Sequence, residues 1–138
     1  SASFYRGRLF MGEAYFYLKQ YNEAESNFQI SFNKDRQDEL LYYYLYYLGN
    51  INYYKGNFAE AEEQLREAGK LYPGFSEASY SLALICLKTG REMEALEFFE
   101  RAVKEDPAIG KMKLKEFEDY LAQENLQEGK MIPSPPGG

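Results

Sequence analysis

The chain of 138 residues contains no histidine and a single cysteine, Cys86. An intramolecular disulfide is therefore excluded, and so are the usual zinc, copper and haem ligand sets and any histidine-based triad. Carboxylates alone remain as metal ligands, and these would suit only calcium or magnesium. Basic charge is scarce too: 16 lysines and arginines stand against 22 aspartates and glutamates, a formal charge of -6. Nucleic acid and anionic membranes select dense basic patches, so neither is expected as a partner, and a neutral or basic protein fits better. The opening "SASFYRGRLF" lacks the apolar core of a signal peptide. The most apolar stretch, "LYYYLYYLGNINYY" at 41–54, is too short to span a bilayer and is interrupted by Asn50 and Asn52, so no membrane insertion is expected. With no nucleophile and base pair and no phosphate loop, the expectation is a protein that is not an enzyme and carries no cofactor or metal. The chain begins almost inside a helix, as a piece of a longer protein would, and it names no compartment.

What is present is tyrosine, seven of them in those fourteen residues, and a repeat. The segments "YLKQYNEAESNFQIS" (17–31), "YYKGNFAEAEEQLREA" (53–68) and "CLKTGREMEALEFFERA" (86–102) share a helix end, a polar turn, and an alanine followed four places later by a large apolar residue. The alanines are Ala24, Ala61 and Ala95, separated by 37 and 34 residues, the three extra residues falling in the linker around "NKDRQDE". Pro73 and Pro107 are also 34 apart, just past helix ends where proline cannot continue the ladder. Such a period signals stacked supersecondary units, and 138 residues suit one domain with its own core.

Residue by residue, the pattern resembles tetratricopeptide repeats. Helix A of the first unit matches at Arg8, Met11, Gly12 and Tyr15, and helix B at Ala24, Phe28 and Ser31. The second unit matches at Leu45, Leu48, Gly49 and Asn52, then Ala61, Leu65, Ala68 and Pro73. The third matches at Ser79, Leu82, Ala83 and Cys86, then Ala95, Phe99, Ala102 and Pro107. The match spans roughly residues 5–107. It implies an all-α fold, a right-handed α-α superhelix of about seven antiparallel helices in a single domain, 1–125. Its repeats would lie at about 5–37, 42–75 and 76–109, with a capping helix at about 110–125 and a flexible Pro/Gly-rich tail at 126–138. The departures are Asn52 and Cys86 in place of the usual helix A aromatic, and Arg8 and Ser79 in place of a large first residue. A polar Asn52 between helices costs about 1–3 kcal/mol unless it is bonded, and a backbone partner is expected. Gly12, Gly49 and Ala83 facing Ala24, Ala61 and Ala95 let each helix pair approach closely, with Phe28, Leu65 and Phe99 filling the remaining space. Cys86 reads as a small core residue, and the acidic runs on the B helices as a solvated face.

At about 100° per residue, Leu45, Leu48, Gly49 and Asn52 face helix B, and Tyr44 and Ile51 face the preceding unit. The opposite arc holds Tyr43, Tyr46, Tyr47, Asn50, Tyr53 and Tyr54. In the family the A helices line the concave surface, so the resemblance turns this arc toward a groove. The equivalent arcs add Arg6, Leu9, Phe10, Glu13, Phe16 and Tyr17 from the first unit, and Glu77, Tyr80, Ser81, Leu84, Leu87 and Lys88 from the third. Contiguous exposed aromatics mark interaction sites, although tyrosines in a helical array also pack on one another. The resemblance further implies that Asn50 bonds a ligand backbone. It does not extend to the carboxylate clamp, because the basic places there hold Leu9, Tyr46 and Tyr80. The expected function is an interaction module that binds a peptide or helix of a partner protein in a tyrosine-rich groove. The alternative is a self-associating segment of a longer array, its groove or end helix covered by another copy or by its own tail.

Overall fold

A computed structural model describes residues 1–32, 40–127 and 129. Among these residues the regular structure is entirely helical: α1 (Ala2–Tyr17), α2 (Tyr21–Ser31), α3 (Leu41–Tyr54), α4 (Phe58–Leu71), α5 (Ser76–Lys88), α6 (Glu92–Glu105) and α7 (Pro107–Gln127). The linker expected at 33–39 and all of the expected tail except Leu126, Gln127 and Gly129 lie outside the described residues. The most extensive packing joins α1 to α2, α3 to α4 and α5 to α6, so the units are antiparallel helix pairs.

One turn geometry recurs in all three pairs. The amides of Gln20, Asn57 and Arg91 bond back to the carbonyls of Tyr15, Asn52 and Cys86 at 2.9, 2.8 and 2.8 Å. The residue before each amide is left-handed: Lys19 at φ 62°, Gly56 at 84° and Gly90 at 75°. Glycine takes this conformation without a steric penalty and lysine does not, so the first turn is made against local preference.

Close approach explains the small residues. A Cβ on Gly12 would lie 2.7 Å from the Phe28 ring, and one on Gly49 would lie 2.7 Å from Leu65 Cγ and 3.3 Å from the Ala61 carbonyl oxygen. Close-packed interiors leave no room for either methyl. Ala24, Phe28, Ala61, Leu65, Ala83 and Ala95 are fully buried along these seams.

Each A helix stacks chiefly on the B helix of the unit before it, α3 on α2 and α5 on α4. Ile51 of α3 sits in a cluster with Leu9, Ala24 and Phe28 of the first pair, and the Tyr44 ring stacks on Phe32 at 4.7 Å. A second, larger cluster runs from Ala61 to Phe117. Asn52 is satisfied differently from the expectation. It donates to Gln64 Oε1 at 2.8 Å and accepts from Asn57 Nδ2 at 3.3 Å, so side chains of α4 and of the turn replace a backbone partner.

The last helix starts at Pro107, before the expected 110, and continues through Gln127, past the expected start of the tail. It packs on both α5 and α6. One period beyond Ala83 the residue is Phe117 rather than a small one. It is buried, and its ring stacks on Phe99 of α6 at 4.5 Å.

Candidate partner-binding groove

Four helices converge on a cavity of about 380 Å³. From α1 come Phe16 and Tyr17, and from α3 come Tyr46, Asn50, Tyr53 and Tyr54. Helix α5 contributes Glu77, Tyr80, Ser81 and Leu84. Helix α7 forms the remaining wall with Ile109, Met112, Lys113, Glu116 and Tyr120, and Asp106 lies at its entry. The α7 residues fall at i, i+3, i+4, i+7 and i+11, one face of a helix. Among the described residues, no cluster of acidic or thiol side chains converges as a metal site, and no helix is long and apolar enough to cross a membrane.

Residues 46–108, from within α3 to the start of α7, match the family described as the tetratricopeptide repeat. The first pair repeats the same turn and seam geometry outside that range. The matched segment belongs to the tetratricopeptide-repeat family. The crystal structure of MamA is similar, with a TM-score of 0.65 at 20% identity over 91% of this chain and 78% of its own. A complex of the TPR2B domain of yeast Sti1 with pHsp70 gives a TM-score of 0.70 at 15% identity, over 89% of this chain and 97% of that one. At such identities the shared property is the fold, a right-handed tetratricopeptide superhelix. No curated protein matches the chain.

In this tetratricopeptide stack the cavity gathers Phe16, Tyr17, Tyr46, Asn50, Tyr53, Tyr54, Tyr80 and Leu84 of the residues expected from sequence. It does not gather Leu9, Glu13, Tyr43, Tyr47, Leu87 or Lys88. Tyr47 is only 5% exposed: its ring stacks on Phe28 at 5.0 Å and meets Phe16 edge-on at 5.2 Å. Leu9 is buried in the same cluster. The face that α3 turns to the preceding unit is thus wider than Tyr44 and Ile51 alone, and it takes Tyr47 and Leu9 out of the surface. Leu87 is likewise buried, in the larger cluster. Tyr43 is half-buried against Tyr47 at 4.9 Å. Half-buried Glu13 has its carboxyl pushed above the usual range by burial, opposed by a hydrogen bond from Tyr47. Lys88 is exposed and pairs with Glu124 of α7 at 2.9 Å.

Asn50 lines the cavity but is 8% exposed. Its Nδ2 donates to the Tyr46 carbonyl at 2.9 Å, and its Oδ1 accepts from Ser81 Oγ at 2.8 Å. It therefore braces α3 against α5, with one N–H and one lone pair uncommitted among the described residues.

Burial pushes the phenols of Tyr46, Tyr53 and Tyr80 above their ordinary range, so they stay neutral donors. The Tyr80 hydroxyl donates to Glu116 Oε2, and the same carboxylate pairs with Lys113 at 3.3 Å. The Lys113 ammonium lies 5.6 Å from the centroid of the Tyr80 ring. The Tyr17 and Tyr47 hydroxyls bond each other at 3.2 Å.

Proposed function

We propose that this tetratricopeptide domain is a non-enzymatic interaction module whose concave groove holds an extended segment of a partner protein. The supporting observation is the convergence of rings from α1, α3, α5 and α7 on one open cavity, with Tyr17 70% and Tyr54 55% exposed. Such rings offer large contact area with a hydroxyl for polar groups.

Main-chain chemistry argues for an extended segment over a helix, whose own amides and carbonyls are already paired. The cavity between the four helices holds about 380 Å³. A strand can thread its side chains into that space, with main-chain bonds to the phenols and to the uncommitted amide of Asn50. The yeast Sti1 domain of this fold occurs in a complex with pHsp70, which supports a protein partner in general. A carboxylate clamp lacks its chemistry, because Lys113, the cation among the described lining residues, is paired with Glu116, and Glu77 and Asp106 add further negative charge.

The test uses Tyr17→Ala/Tyr54→Ala, chosen because Tyr46 and Tyr53 pack on the larger core and would confound folding with binding. Each substitution is expected to weaken the partner by about 1 kcal/mol or more, roughly fivefold in Kd, in calorimetric titration. Unchanged affinity in a double variant that keeps its melting temperature would refute the placement.

A second reading, self-association, is favoured by Phe10. It stands one repeat before the buried Tyr47 and is itself 58% exposed. A sedimentation series that stays monomeric at high concentration excludes it.

A further inference from the structure

We infer that the groove takes a partner segment carrying one basic side chain, arginine or lysine, seated among the tyrosines. This inference deepens the groove proposal and rests on it. The lining mixes seven aromatic rings with three carboxylates, Glu77, Asp106 and Glu116, against one ammonium, Lys113. Glu116 is already engaged by Tyr80 and Lys113. Asp106 accepts the Ala108 amide at 3.0 Å, and Glu77 accepts Ser76 Oγ at 3.3 Å. Among the described residues neither Asp106 nor Glu77 forms an ion pair.

A wholly apolar segment would strip water from these two carboxylates and give nothing back, which is costly. An acidic segment would meet like charge. A basic side chain answers both problems, since ring faces attract a cation and the carboxylates neutralise it. The protein holds an example of that chemistry in the same cavity: the Lys113 ammonium lies 5.6 Å from the Tyr80 ring centroid and 3.3 Å from Glu116. Two carboxylates unpaired among the described residues, with Glu116 already held by Lys113, favour one such side chain over a basic cluster.

The experiment pans a phage library of random octapeptides against the wild-type chain and against Glu77→Gln/Asp106→Asn, which keeps a capping oxygen for Ala108. Wild type is expected to select peptides with arginine or lysine at one shared position. In a synthetic copy of the best binder, replacing that arginine or lysine by citrulline should weaken binding about tenfold, and the variant should lose that discrimination. Selection of neutral or acidic peptides, or indifference to citrulline, overturns the inference and leaves the groove proposal standing. Selection of no peptide at all removes both. The citrulline comparison uses wild-type protein and so does not depend on how the variant folds.

Discussion

Ten of the thirteen residues of α5 are buried, whereas the sixteen residues of α1 bury Leu9 and Gly12 among the side chains described. Helix α5 packs against α3, α4, α6 and α7, while among the described helices α1 touches only α2 and α3. The contrast is sharpest at a single repeated position. Tyr47 packs on the first unit, whereas Phe10, one repeat earlier, is 58% exposed. In a stack, burial follows position along the array as much as residue type, so stability should be graded from a loose first unit to a sealed last one.

The sealed end depends on α7, and removing its anchor is the largest test of the difference. Phe117→Ala deletes a buried ring stacked on Phe99 and is expected to cost about 3–5 kcal/mol. Hydrogen exchange should then show α5 exchanging nearly as fast as α1, with the α7 wall of the groove loosened. A loss below about 1 kcal/mol, read by urea denaturation, would mean that α7 is an accessory and not the seal.

The open end can be tightened instead. Lys19 occupies the left-handed place that Gly56 and Gly90 occupy in the other turns. Lys19→Gly should relieve that strain and stabilise the first unit by about 1 kcal/mol, after allowing for the greater freedom of glycine in the unfolded chain. If the ends are as unequal as burial suggests, the gain appears in exchange of α1 and α2 and leaves α5 unchanged. An equal gain across the chain would mean that the stack unfolds as one unit.

The repeat, the helix pairs and the glycine seams were legible in the sequence because they rest on periodicity and on residue size. Gly12 and Gly49 lie at the phase that demands a small residue, and the structure leaves no space for more. The groove was legible only in part. Helical phase turned Tyr53 and Tyr54 to the side where the cavity lies but turned the buried Tyr47 there too, because one helix seen alone does not reveal how far it leans on the unit before it. Lys113 and Glu116 escaped because groove-facing positions on α7 mix charge with rings, and a hydrophobic stripe is blind to that mixture. Asn52 found a side-chain partner, Gln64, that only the approach of α4 brings within reach.

The smallest contrast lies between the two unit junctions on the B-helix side. Glu25 and Glu62 stand one repeat apart, and each meets a cation from the next unit's turn. Lys55 reaches Glu25 at 2.8 Å, while Arg91 holds both oxygens of Glu62, which Arg66 also contacts at 3.0 Å. The Arg91 bonds come first among the causes that hold the Glu62 carboxyl below its usual range. Glu62→Gln should therefore cost about 1 kcal/mol at pH 7, and Glu25→Gln about 0.3 kcal/mol, as expected of a single exposed pair. A depressed native pKa gives stability that is present above the unfolded value and lost as pH falls through the folded one. The gap between the two variants should hold at pH 7, narrow below about 4.5 and close at lower pH, in urea denaturation at each pH. If Glu62→Gln costs as much in acid as at neutrality, the junction depends on the packing of that side chain and not on its charge.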